Sequence, residues 1–388
     1  MQAREHAVWE RSFPVGYVLA YEDADGEKQY GARCVSAEGV FADPVPPPRE
    51  VLTLRGCTPA GPLLEAVASA SGPYRPFPEI RVGVRDDRQP LQWWTLVDTT
   101  VLAHRPSATD PDLVDITVGT GVREEHSWPQ PLPASPRFEL FAGGRAASVS
   151  AGSCQGIDGL FTARRPAPPL PLRLIGCEPA EPLLAVLRRP RAWERDWAQL
   201  WALDRNGRRM TRLEVGLGIQ DARPSVLGGT LLDITLSDGG ERPSLIARSI
   251  WETWYEGIPT TPNQWAAHSA QGREEWLKMT AMGMNGQRPD RSGGEHNLDG
   301  RFATDVPGLH LAMAEALLGP GHYFGRAYDA FKDCLSGGFG IVPPFTLVWH
   351  DAGIARQALA DDVSQEGLTY FEDVVRLLEL RGATVVLD

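Results

Sequence analysis

The first 240 residues alternate short apolar runs with Pro, Gly and Asp. Such runs lie at 15–21, 51–54, 79–84, 93–97 and 114–118, and again at 172–175, 213–217 and 231–236. Runs of this length, broken by turn residues, predict β-strands. After each Gly-Cys-x-Pro turn, Leu63, Leu64 and Val67, and later Leu183, Leu184 and Leu187, recur on one side and predict a short helix. From 248 to 284 the period lengthens. Trp265, Trp276, Leu277 and Met282 fall on one stripe of a segment rich in Ala, Gln, Glu and Lys, which predicts a helical connector packed on one of its neighbours. Residues 285–296 are rich in Gly and polar side chains and predict a flexible joint. The remainder predicts a first edge near 297–298, helices at 306–318, 326–335, 352–359 and 368–380, and strands at 345–349 and 383–387. Helices and strands alternating across short joints predict a small parallel α/β sheet.

The apolar pattern of the first part occurs twice. Leu52-Thr53-Leu54-Arg55-Gly56-Cys57-Thr58-Pro59-Ala60 returns as Leu172-Arg173-Leu174-Ile175-Gly176-Cys177-Glu178-Pro179-Ala180, an offset of 120 residues. Cys34 and the following Glu38-Gly39-Val40-Phe41 return at the same offset as Cys154 and Asp158-Gly159-Leu160-Phe161. Leu113-Val114-Asp115-Ile116-Thr117-Val118 returns as Leu231-Leu232-Asp233-Ile234-Thr235-Leu236, offset by 118. Three matched blocks predict an internal duplication. The expected division is therefore two mainly-β (α+β) copies at 1–122 and 123–240, the connector and joint at 241–296, and an α/β domain at 297–388. Pro46-Pro47-Pro48 and the proline-rich run at 166–169 stand at equivalent places, which favours loops within the copies.

Composition narrows the function. Of 388 residues 42% are hydrophobic, enough for several cores, and the net charge of -12 disfavours unspecific binding to nucleic acid or an anionic membrane. No run approaches the length of a membrane span, and the charged N-terminus lacks the apolar core of a secretory signal, so a cytoplasmic protein is expected. The cysteines at 34, 57, 154, 177 and 334 match neither a disulfide scaffold nor a compact zinc motif. Packing of the four repeated thiols is the simpler reading, with a metal or disulfide role as the alternative. The copies lack phosphate-binding, zinc-protease and nucleophile-elbow motifs, and Asp86-Asp87 reads as a solvated turn. No catalytic residue, metal or cofactor is expected.

One stretch carries candidate chemistry, Gly321-His322-Tyr323-Phe324-Gly325 followed by Arg326 to Leu335. Asp329 and Asp333 stand one helical turn apart, and such a pair opposes itself unless a partner brings positive charge. A solvated helix face is the alternative. From residue 297 onward thirteen acids and six Lys or Arg carry -7 of the total charge.

Leu298-Asp299-Gly300, Gly308-Leu309-His310, Tyr323-Phe324-Gly325, Asp329-Ala330-Phe331-Lys332-Asp333-Cys334-Leu335 and Phe345-Thr346-Leu347-Val348-Trp349 together resemble the barstar family of ribonuclease inhibitors. The resemblance spans 297–388. It implies a three-stranded parallel sheet with packed helices, and inhibition by plugging a nuclease active site with the turn and helix. It also implies partner contacts from Tyr323, Phe324, Gly325, Asp329, Lys332 and Asp333, with Asp333 as the central plug in a phosphate pocket. The partner implied is a basic nuclease or toxin protein, and the function that of an inhibitor or immunity factor. Three features depart from the family pattern. Lys332 replaces an aromatic, Leu377 stands where a further acid is expected with Glu379 two residues away, and 296 residues precede the match. They leave room for a regulatory or scaffold protein that binds an unrelated partner.

Overall fold

The computed structural model describes residues 14–22, 28–43, 45–69, 79–86, 89–125, 136–143, 149–164, 170–188, 197–216, 218–236, 240–282, 288–360, 363 and 367–388. Asp87 and the proline run at 166–169 lie outside them. The chain opens with β1 (Tyr17–Glu22), β2 (Lys28–Glu38), β3 (Arg49–Pro59), α1 (Gly61–Ala68), β4 (Ile80–Asp86), β5 (Gln89–Pro106) and β6 (Val114–Glu125). A second series follows: β7 (Arg137–Ala142), β8 (Val149–Cys154), β9 (Gly156–Asp158), β10 (Leu172–Pro179), α2 (Glu181–Arg188), β11 (Trp197–Leu203), β12 (Arg209–Gly216), β13 (Ile219–Pro224) and β14 (Leu232–Leu236).

These strands sort into two compact units, Val45–Ala167 and Met1–Pro44 together with Pro168–Asp388. In the Val45–Ala167 unit the order is β6-β5-β4-β7-β8-β3-β9, and β3 also pairs with β6. That extra ladder closes a barrel around Leu52, Leu54, Trp94, Ile116 and Phe138. The other unit has the order β12-β11-β1-β2-β10-β14-β13. Its end strands β12 and β13 are consecutive in the chain, so this sheet also returns on itself.

The pairing differs from what the expected duplication suggests. The hairpin β1–β2 leaves the strands that follow it, and pairs with β11 and β10 of the second copy. In turn β7 pairs with β4 and β8 with β3 of the first copy. Each unit thus takes its leading hairpin from one copy and the rest from the other, and the units are cut at 44/45 and 167/168, not at 122/123. Local hydrophobic alternation specifies which face of a strand is buried and is silent on which copy supplies its neighbour.

The repeated blocks are physical partners. In both units the Gly-Cys turn is a bulge with left-handed backbone, at Gly56 (φ +56°) and Gly176 (φ +61°). The Asp of the neighbouring strand caps it: the Gly56 amide donates to Asp115 Oδ1 and the Gly176 amide to Asp233 Oδ1, both at 3.0 Å. The turn glycines and strand aspartates were therefore matched because they bond each other. The cysteines meet across the exchange, Cys34 opposite Cys177 in register and the Cys154 thiol hydrogen-bonded to that of Cys57, all four buried and free. The neighbouring thiol and burial hold Cys34 well above the ordinary thiol range, which suits packing over reactivity.

After β14 come α3 (Ala247–Tyr255), a 3-10 turn at Gln264–Ala267 and α4 (Ala270–Met282). The expected helical connector is present, with Trp251, Trp254, Trp265 and Trp276 all buried. It packs on both neighbours rather than one, against β12 on the barrel side and against the following helix on the other.

The C-terminal part contains β15 (Arg288–Arg291), β16 (Glu295–Asp299), α5 (Val306–Leu318), α6 (Tyr328–Cys334), β17 (Phe339–Ile341), β18 (Thr346–His350), α7 (Ala352–Ala358), α8 (Tyr370–Leu380) and β19 (Thr384–Leu387). The order β16-β18-β19 is parallel throughout, the three-stranded sheet with packed helices expected from the sequence. Asp305 caps α5 by accepting from the Gly308 amide at 2.7 Å, and Thr369 with Glu372 forms a capping box on α8. The described part of the expected joint is ordered. β15 pairs with β17, and Asp290 accepts from the Gly338 and Gly340 amides at 2.7 and 2.9 Å. Glycines there serve tight turns at Gly293 and Gly294, both with positive φ; residues 283–287 lie outside the described residues.

The exchange has a direct test. Fragment 45–167 contains every strand of its barrel and is expected to unfold cooperatively as a monomer in calorimetry. Fragment 12–122 has the sequence repeat but lacks β7 and β8, and is expected to be unfolded or self-associated. A cooperative monomer from 12–122 would contradict the exchanged pairing.

Candidate functional site

The turn after α5 and helix α6 are built from an inward and an outward set. Phe331 and Cys334, three residues apart, point into the core and are 0% and 1% exposed. Asp329, Lys332 and Asp333, at the alternate positions of the same helix, are exposed. Among the described residues neither carboxylate side chain has a hydrogen bond or ion pair. Two like charges one turn apart are thus left open to water, as the spacing predicts.

The turn is held from below. Phe324 is fully buried and meets Phe331 edge-on at 5.7 Å between ring centres. It was expected among the partner contacts; its burial makes it a support for the turn, because an aromatic in a loop gains more by filling the core than by facing water. Gly325 has φ +85°, and a Cβ there would stand 2.5 Å from Phe331 Cα and 2.6 Å from its amide nitrogen. Only glycine lets the turn lie this close to α6. Tyr323 is half-buried beside Phe339, and burial pushes its hydroxyl pKa up.

The surface around the two aspartates carries both signs of charge. Arg326 is exposed three residues before Asp329, and Lys332 shares the outward face. Arg381, just past α8, donates from Nη1 to Ser336 Oγ at 3.0 Å, which brings a third cation to the end of α6. Sequence offered no signal for that contact, which spans 45 residues. Leu377 is core, 5% exposed, whereas Glu379 is exposed near Arg381.

Other titratable groups serve the scaffold. Burial pushes Cys334 up to about 12, with Asp333 adding to the effect. His350 has both ring nitrogens engaged, Nδ1 with Asp388 at 3.0 Å and Nε2 with Asn297 at 2.9 Å, tying together the ends of all three parallel strands. His310 lies under α6, with Nε2 2.7 Å from the Tyr370 hydroxyl and its ring edge-on to Phe331; burial pushes its pKa down to about 4. Among the described residues no cluster of three or more His, Cys, Asp or Glu side chains could hold a metal ion, and no helix is long and apolar enough to cross a membrane.

With this geometry in place, the comparison with known families is specific. Residues 295–387 match the family described as Barstar (barnase inhibitor). The C-terminal segment is therefore a barstar-like domain, and the turn and α6 lie inside it. No curated protein matches the chain.

Two outcomes follow from the support beneath α6. Gly325→Ala is expected to destabilise the domain by about 2–4 kcal/mol, through left-handed strain and collision with the Phe331 backbone, measured by urea unfolding. His310 takes a proton near 6.5 when unfolded and near 4 when folded. Its contribution is complete above 6.5 and is lost as pH falls through 4, on the order of 3 kcal/mol. Stability between pH 7 and 4 should fall less steeply in His310→Gln, and an unchanged slope would assign acid sensitivity elsewhere.

Proposed function

We propose that the protein is an inhibitor or immunity factor whose barstar-like domain binds a basic ribonuclease or nuclease toxin. Asp333 enters the pocket that normally holds a substrate phosphate, and Asp329 faces basic residues at its rim. Tyr323 contacts the partner beside the turn, and Gly325 keeps that turn close. The observation that carries this reading is the pair of exposed carboxylates on the outward face of α6, without a side-chain partner among the described residues, within the segment that matches a family of barnase inhibitors. Carboxylates desolvated against Arg and Lys make strong charge-assisted bonds, and opposite charge accelerates encounter. The reading assigns no catalytic residue, cofactor or metal, and gives the duplicated barrels a second protein-binding role. A cytoplasmic setting fits the five free cysteines.

A second reading has a specific observation behind it. Arg326, Lys332 and Arg381 place three cations around two carboxylates, a pattern suited to a partner of mixed charge. On that reading the protein is a regulator or scaffold that uses the barstar-like fold to bind something other than a nuclease.

The test uses the full chain as bait in a lysate of its native cells, at low and high salt, beside Asp333→Ala and Asp329→Ala. Recovery of a basic nuclease is expected at low salt, with Asp333→Ala weakening the purified complex by about 2–5 kcal/mol. A partner held equally by wild type and both variants would refute the carboxylate plug. An acidic or mixed-charge partner that is not a nuclease would support the second reading.

A further inference from the structure

A cleft outside the α6 surface lies in the larger unit, between the barrel strands and α3. Its volume is roughly 920 Å³, within the range of small-molecule sites. Tyr17, Val40, Phe41, Met210, Trp251 and Tyr255 line it. Phe41 and Trp251 meet edge-on at 4.9 Å and form part of its aromatic wall.

The charged groups on the wall differ in their engagement. Glu38 is paired with Arg173 at 3.0 Å, and Glu256 with Arg205 at 2.6 Å. Glu252, exposed on α3, has no ion pair or hydrogen bond from its side chain among the described residues. Arg248 stands one turn earlier on the same helix, with its guanidinium 5.6 Å from the centre of the Phe41 ring and no carboxylate partner among the described residues. Side chains four apart on a helix have Cβ atoms about 5–6 Å apart, and a cation N-terminal to an anion is the weaker order for pairing. The cleft therefore offers one open cation and one open anion, side by side, above an apolar aromatic wall.

The site depends on α3. In the other unit Phe161, the residue 120 positions after Phe41, is half-exposed and packs edge-on against Trp94 of its own barrel at 5.3 Å. The duplicated barrel supplies the aromatic, and the connector helix supplies the charges and Trp251.

We propose that this cleft binds a small zwitterion with an apolar body, of the class of the apolar α-amino acids. The ligand carboxylate meets Arg248, its ammonium meets Glu252, and its side chain lies against Phe41, Tyr17 and Trp251. A ligand with only one of these charges leaves the other wall group without a partner and gains less.

The experiment titrates the full-length protein by calorimetry with L-phenylalanine, 2-phenylethylamine, which lacks the carboxylate, and 3-phenylpropionate, which lacks the ammonium. Saturable one-to-one binding of L-phenylalanine is expected, at least about tenfold tighter than either single-charge probe. Arg248→Gln and Glu252→Gln change exposed side chains and should each weaken that binding by a similar factor, with unchanged thermal unfolding. No saturable binding of L-phenylalanine, equal binding of a single-charge probe, or indifference to both substitutions would overturn the proposal.

Discussion

The larger unit depends on one apolar core that passes through the connector. It runs from Leu19 and Leu200 in the barrel, through Trp251, Trp254, Trp265 and Trp276, to Leu309, Trp349 and Leu378 in the barstar-like domain. Trp254 meets Trp276 edge-on at 6.1 Å, and Trp265 meets Phe302 at 6.5 Å. Truncating one large buried aromatic costs about 3–5 kcal/mol, a sizeable part of the 5–15 kcal/mol that holds a typical domain together. Polar contacts fix the same seam: Arg273 donates to Thr304 and Asp305 at 2.7 and 2.6 Å, and Asn263 donates to Glu315 and Asp299, both at 2.8 Å. Helix α6 is thus mounted on a body much larger than the barstar-like segment.

That mounting bears on binding. A surface whose side chains are already held loses less conformational freedom on association. Phe324 and His310 are buried and each meets Phe331 of α6 edge-on, and Gly325 lets the turn lie close to that helix. Asp329 and Asp333 consequently project from a fixed base. The neighbouring Arg326, Lys332 and Arg381 add positive charge around the two aspartates, so the surface carries both signs. Mixed charge gives discrimination between partners more readily than raw affinity.

Much of this was legible in local pattern. The outward placement of Asp329 and Asp333 follows from helical spacing, as does the inward placement of Phe331 and Cys334. The parallel sheet is legible because helices and strands alternate across short joints, whereas the apolar reading of 345–349 overstated its cover, since Leu347 and Trp349 are buried and Thr346 and Val348, alternating with them, only half-buried. Matched Gly-Cys and Leu-x-Asp-Ile-Thr blocks suggested a duplication, and gave no sign that Gly56 and Asp115 bond each other. What stayed hidden involves pairings distant in sequence: the exchanged hairpins, the Arg381–Ser336 contact, and the cleft where α3 meets Tyr17 and Phe41. The glycines at 293 and 294 misled because the same residue that loosens a linker also permits a tight turn. Phe324 misled because a turn aromatic can face either way until the core beneath it is known.

The exchanged hairpin imposes an order on biosynthesis. All strands of the Val45–Ala167 barrel are consecutive in the chain, so that unit can close as soon as its last strand leaves the ribosome. The hairpin β1–β2 emerges earlier, yet its neighbours β10 and β11 lie at Leu172–Pro179 and Trp197–Leu203. At about 5–20 residues per second, it waits on the order of ten seconds or more with both edges unpaired. Unpaired strand edges invite pairing with other chains. The hairpin β1–β2 is therefore secured later than the barrel strands made directly after it, and its edges are open to chaperones, and to neighbouring copies of the protein, during that interval.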